Sequence, residues 1–243
     1  MLITLALSCG MLQNGLAGQS GPQGGVKLYR YGDLLREHGI ELTQPALLNA
    51  LRNADASVRY LAAMKLAEDK VVDATPAIEQ ALAVEKVPRD RVNFALALAL
   101  LEDPSGRVEL KHICSDRNFV PEFRLYAVRY MFDVHVEKDE DCLSAAKQAV
   151  EAANFGDRIS ALELLIRFQN LTPEESHQVL QLVAARLEDS EPVVRMAASQ
   201  SLVGLGNPSA VPYLEAAITR EQDDSVRSVF EKDLKQLRTR PTP

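Results

Sequence analysis

The chain has 243 residues, of which 47% are hydrophobic and 25% charged, and its net charge is −7. That balance belongs to a folded protein and lacks the basic excess of a phosphate-binding surface, so it argues against a nucleic-acid partner. Ala and Leu dominate, aromatics are 5% and Trp is absent, which favours helices.

Residues 1–25 carry no charged side chain. Met1 to Met11 reads MLITLALSCGM, too short to span a bilayer, which takes about 20 residues. It has the length of a signal-peptide apolar core, and the small residues around Gly15-Leu16-Ala17-Gly18 suit a cleavage site. Gln19 to Gly25 then reads as a flexible linker. Residues 1–25 are therefore expected to be a leader and linker, and 26–243 one folded domain. Export to the bacterial periplasm or medium follows if the leader is genuine, and a cytoplasmic location if it is not. No transmembrane segment is expected. Cys9 lacks the Leu that a lipidation site places three residues earlier, since Ala6 stands there.

From Val26 onward the sequence repeats. Leu28–His38 reads as a first, capping helix. Six segments then share a register set by Arg59, Arg91, Arg124, Arg158, Arg195 and Arg227, at intervals of 32, 33, 34, 37 and 32 residues. Three positions after each Arg stand Ala62, Phe94, Ala127, Ala161, Ala198 and Phe230. Seven positions after stand Leu66, Leu98, Met131, Leu165, Leu202 and Leu234. Such spacings share one helix face, so these residues are predicted to be core.

Between these helices the sequence predicts others near 45–52, 76–84, 106–114, 142–152, 173–188 and 209–220. Thr75-Pro76, Thr172-Pro173 and Asn207-Pro208 each place a capping residue before a proline at the first helical position. Thr172 and Glu175 add a capping box. Short polar links force each pair antiparallel, and stacked pairs make one continuous core. The fold class is all-α, an armadillo-like α-solenoid of about six helical hairpins with terminal capping helices. Arg227–Arg238 closes the C-terminal end, with Lys232, Lys235, Arg238 and Arg240 suited to a polar cap.

The segments Asp55-Ala56-Ser57-Val58-Arg59, Ser190-Glu191-Pro192-Val193-Val194-Arg195 and Asp223-Asp224-Ser225-Val226-Arg227 resemble the short HEAT-like repeats of the phycobilisome-lyase type. In that consensus an acidic turn is followed by Val-Arg and an Ala-rich helix. The resemblance covers about Leu42 to Leu237. It implies a structural ladder along the six arginines, linking successive repeats, in which Asp55, Glu191 and Asp223, each four residues before its Arg, are the matching acids. Val87, Val120 and Asn154 stand at the matching central positions, so the ladder is expected to be broken there. An Arg near a helix N-terminus is disfavoured by the dipole, so an acidic partner is required whatever the family.

Motifs for chemistry are missing. His38, His112, His135 and His177 have no second His three or four residues away, and no HExxH, GxSxG or P-loop occurs. The His-Glu pairs of HEAT-like hydroxylases are absent. Glu137 to Asp141 is rich in acid but lacks the glycine of a calcium loop, and is expected to cap the next helix. Cys114 and Cys142 are expected to lie at opposite ends of neighbouring outer helices, about 15 Å apart for a ten-residue helix, and to stay unpaired. No catalytic residue, metal or cofactor is assigned. The expectation is a non-enzymatic scaffold that binds a protein partner through its concave surface. A chromophore lyase-type enzyme or enzyme subunit is the alternative that the resemblance implies. Positions one, five, six and nine after each Arg are expected to face outward on the concave side. They include Tyr60, Lys65, Arg129, Tyr130, Glu163, Arg167, Met196, Gln200 and Lys232. Tyr60, Arg129, Tyr130 and Arg167 are the partner-binding candidates, because Tyr and Arg are favoured at hot spots.

Overall fold

The computed structural model describes residues 30–239. The expected leader, Cys9, the linker, the start of the first helix and Arg240 lie outside them. The described residues contain α-helices and short 3-10 turns and no strand. α1 (Tyr31–Glu37) packs on α3, and six antiparallel pairs follow. They are α2 (Gln44–Ala50) with α3 (Ala56–Glu68), and α4 (Thr75–Val84) with α5 (Pro88–Leu100). Next are α6 (Pro104–Ser115) with α7 (Pro121–Asp133), and α8 (Glu140–Ala149) with α9 (Phe155–Leu165). α10 (Pro173–Ala185) with α11 (Pro192–Leu205), and α12 (Val211–Arg220) with α13 (Asp224–Thr239), complete the array. This is the expected α-solenoid.

Every predicted core position is buried. The small or aromatic row from Ala62 to Phe230 is 0% exposed throughout, and the large row is 8% exposed at most, at Leu234. The odd-numbered helices from α3 to α13 form one continuous layer, each packed on the next. The even-numbered helices stand further apart, with α6 and α8 the pair in close contact. Away from that central pair the odd layer is the more closely spaced one, which puts it on the inside of the curve, the concave face.

The helix ends follow local chemistry. Asp55, Asp103, Asp139, Asn154 and Thr172 each cap the following helix through a side-chain oxygen, and Thr172 with Glu175 completes the expected capping box. Asp139 is thus the capping residue of the acidic run 137–141. Thr75 differs from expectation. It is the first residue of α4, reached through a 3-10 turn at Val72–Ala74, and its side chain caps nothing. Asn207 likewise caps a 3-10 turn, through Ser209. After the odd helices the chain turns through a left-handed residue, at Lys70, Glu102, His135, Asn170 and Gly206. Four of these are not glycine, so the turn is hidden from a search for glycine stops.

One glycine is required by packing. A Cβ on Gly106 would sit 2.3 Å from the Ala99 backbone nitrogen and 2.5 Å from the Ala95 carbonyl oxygen, which is where α6 crosses α5. Backbone cannot yield as a side-chain end does. Gly106→Ala is expected to destabilise by about 1–3 kcal/mol, the overpacking range, and a thermal-unfolding comparison that finds no loss would contradict this packing.

Candidate functional site

The arginine register and the concave face are the two features that recur in every pair. The ladder exists, but with other acids than expected. The Arg59 guanidinium donates to Glu85 Oε2 at 2.9 and 2.6 Å and to the carbonyls of Asn53 and Ala54. Arg195 grips Glu221 bidentately at 2.7 and 3.0 Å, and donates to the carbonyls of Asp189 and Ser190. Arg158 donates to Asp189 at 3.0 Å and to the carbonyls of Ala152 and Ala153. The linking carboxylates, Glu85, Asp189 and Glu221, stand six residues before Arg91, Arg195 and Arg227. Each comes from the turn of the next pair. In the same turns the residue six before the Arg offers its carbonyl to that Arg, as Glu85 does to Arg91 and Glu221 to Arg227.

Asp55, Glu191 and Asp223 are therefore not the rungs. Four residues before the Arg is the N-cap position. Asp55 and Asp223 spend their carboxylates on the backbone N–H groups of Ser57 and Ser225, and Glu191 has no side-chain capping bond. At this position the carboxylate serves its own helix start, while the arginine of the preceding repeat is met two residues earlier in the same turn, at Asp189 and Glu221.

The centre departs from the pattern. Asn118 and Ala152 occupy the rung position before Arg124 and Arg158. Arg91 takes Glu109 of α6 in place of a turn acid. Arg124, 8% exposed, finds no carboxylate. It donates to the Cys114 carbonyl at 2.9 Å and to the Gln148 side-chain oxygen at 3.2 Å. Burial lowers its pKa, as does the nearby Arg117 charge, while Asp116 opposes.

At that joint Cys114 and Cys142 form a disulfide, with Cα atoms 4.8 Å apart, within the span a disulfide needs. The expectation that they stay apart fails because α6 and α8 are staggered and not side by side. The last turn of α6 meets the first turn of α8, as the reach of Lys111 to Asp139 and Asp141 also shows.

Burial pushes the Glu85 carboxyl up, but N–H bonds from Val87 and Lys86 and the Arg59 charge outweigh it and leave its pKa lowered. Glu221 is lowered by the same balance, with burial opposed by Arg195 and by the N–H groups of Asp223 and Gln222. Glu175 is held at about 2, mainly by its bond from Lys138 and then by Thr172. A carboxyl lowered in the folded state contributes stability above its unfolded pKa, and loses it as pH falls through the folded value. Asp90 and Asp157, raised by burial, act in the opposite direction and offset part of the loss. The melting temperature is expected to fall as pH drops from about 4.5 toward 2. The fall should be shallower in Glu221→Gln. A midpoint unchanged between about pH 5 and 3 would contradict this.

On the concave face α5 presents no open groove. Val92, Leu96 and Ala97 are buried, covered from both sides. Tyr60 of α3 lies half-buried against the core, with the Arg89 guanidinium 5.0 Å from its ring centroid. From α7, Tyr130 meets the Asn93 side-chain oxygen at 3.0 Å. Phe123, Tyr126 and Tyr130 form a half-buried aromatic stripe along α7, their ring centroids 6.2 and 6.4 Å apart. The Tyr126 hydroxyl donates to Glu122 at 3.0 Å. Glu122 and Asp157 lie near enough that Glu122 raises the Asp157 pKa after burial does.

Arg129 is half-buried on α7, but Arg167 is not on the helical ridge. α9 ends at Leu165, and Arg167 lies in the turn with its guanidinium 4.5 Å from the Phe132 centroid and 3.5 Å from Asp133. The positive patch expected from Arg129 and Arg167 is thus partly neutralised. Lys65 is tied to Glu68 and Asp69, Met196 is half-buried, and Glu163, Gln200 and Lys232 are exposed. Sequence reasoning missed Tyr126 and Asn93 because both stand two residues after their Arg, a position not among the four counted as outward. Among the described residues no group of three His, Cys, Asp or Glu is placed to hold a metal ion. None of their helices is long and apolar enough to cross a membrane.

A family model described as HEAT repeats matches residues 139–235. No curated protein matches the chain. Among solved structures, an engineered protein shares 16% identity over 79% of this chain and 95% of its own, with a TM-score of 0.45. Human deoxyhypusine hydroxylase in complex with glycerol shares 16% over 86% and 77%, at 0.42. The complex of CpcE and CpcF of phycocyanin lyase from Nostoc shares 19% over 90% and 80%, at 0.46.

Proposed function

Because residues 139–235 are HEAT repeats and the pairs before them continue the same architecture, we propose that the chain is a non-enzymatic scaffold that binds a partner protein on its concave face. The observation that carries this is the aromatic stripe Phe123–Tyr126–Tyr130 on α7, with the half-buried Tyr60 in the same helical layer on α3. Half-buried Tyr rings supply large contact area at low entropic cost, and such residues dominate binding energy at interfaces. Their environment suits an extended segment of a partner. Apolar side chains would lie over the rings while Glu122, Arg129 and Asn93 meet backbone or polar groups at the rim.

The test is site-specific photocrosslinking in a native-like host. A crosslinker at Glu163, Gln200 or Tyr126 of the concave face should capture one protein repeatedly. A crosslinker at Gln80, Lys147 or Gln178 of the outer helices should not. Capture from the outer helices alone, or purification with a bound tetrapyrrole in place of a protein, would overturn the reading.

A further inference from the structure

We propose that the Cys114–Cys142 bond is the missing rung of the arginine ladder, a covalent tie made during folding in an oxidising compartment. It holds the third helical pair to the fourth, where no carboxylate meets the arginine.

Each other joint bearing this arginine has an acidic partner across it. Arg59 reaches Glu85, Arg91 reaches Glu109, Arg158 reaches Asp189 and Arg195 reaches Glu221. At the third joint Arg124 meets the neutral side chain of Gln148, and Ala152 holds the position that Glu85, Asp189 and Glu221 hold elsewhere. The pairs Lys111–Asp139 and Lys111–Asp141 cross the same joint, but Lys111 is 54% exposed, and exposed pairs contribute little. The disulfide spans these same two pairs, from the last turn of α6 to the first turn of α8. Arg124 is coupled to it directly through its bond to the Cys114 carbonyl.

Cys114 and Cys142 are 0% and 1% exposed, so an oxidant cannot reach them in the closed structure and the bond forms while the joint is open. A thiolate of one cysteine attacks the disulfide of an oxidant, either a small-molecule disulfide such as oxidised glutathione or a disulfide-carrying oxidoreductase. One thiol of the oxidant departs. The second cysteine, as thiolate, then displaces the remaining oxidant sulfur. Two protons and two electrons pass from the cysteines to the oxidant, whose two sulfurs leave as thiols, and one Sγ–Sγ bond results. Disulfides of this kind persist where thiols are not kept reduced, and the export expected from the apolar run Met1 to Met11 agrees with such a compartment.

The full chain is refolded once with oxidised and reduced glutathione and once in excess reductant. Non-reducing peptide mapping of the first should recover the 114–142 link. Its melting midpoint should exceed that of the reduced form by roughly 5–15 °C. Hydrogen exchange in α6 and α8 should quicken on reduction. Cys114→Ala with Cys142→Ala should melt near the reduced wild type and ignore reductant. Adding Ala152→Glu to that double variant should raise its midpoint, because it returns a carboxylate to the rung facing Arg124. Free thiols at both positions after oxidative refolding would overturn the proposal, as would equal midpoints for the two wild-type forms. No gain from Ala152→Glu would overturn the assignment of the bond as a rung.

Discussion

Arg195→Ala is expected to lower the unfolding free energy by roughly 3–5 kcal/mol, the usual loss when one partner of a buried ion pair is removed. The side chains of Arg195 and Glu221 are 15% and 6% exposed, so the carboxylate left behind is desolvated and without its cation. The carbonyls of Asp189 and Ser190 lose their donor at the same time. Glu191→Ala is the matched control. Glu191 lies nearer to Arg195 in sequence, but its side chain makes no capping bond, and its removal should cost within about half a kcal/mol. Denaturant unfolding of the two variants checks the pair. Equal losses would put the rung back at the N-cap position.

Leu165→Ala is expected to cost roughly 2–5 kcal/mol. Leu165 is 0% exposed near the end of α9, in the layer that packs on α7 and α11. Neighbours on both sides are held by their own repeats and cannot collapse into the space, so the cavity persists and adds to the lost burial. Calorimetry of the variant would show the loss, and a change below about half a kcal/mol would mean that Leu165 is not in the core.

The helical register was legible because one physical cause repeats six times. A face that must be buried at every stacking step leaves Ala62, Leu66 and their equivalents at fixed distances from an Arg. The rungs were less legible because two acidic positions compete within one short turn. An acid four residues before the Arg can cap the helix, and one six before can reach the previous repeat. Glu85, Asp189 and Glu221 are visible in the sequence at the second spacing, but only the geometry distinguishes capping from linking. The disulfide was hidden by a different cause. Treating neighbouring outer helices as aligned put Cys114 and Cys142 at opposite ends, and the stagger of α6 against α8 is a property of packing that helix lengths do not reveal. Tyr126 was overlooked because its position is judged by the repeat. In α3, the first repeat, the equivalent residue is Leu61, 3% exposed, whereas from α5 to α13 the position is half-buried, at Asn93, Tyr126, Ser160, Ala197 and Val229.

That the aromatic stripe on α7 is the working surface is tested most directly by affinity. With the partner captured by crosslinking and purified, its binding is titrated against wild type, Tyr126→Ala, and Gln178→Ala on the outer layer. Tyr126→Ala is expected to weaken binding by more than about 1 kcal/mol, the threshold that marks a binding residue, while the melting temperature stays close to that of wild type. Gln178→Ala should bind as wild type does. Unchanged affinity in Tyr126→Ala, with a loss in Gln178→Ala, would contradict the account and move the binding surface to the outer helices.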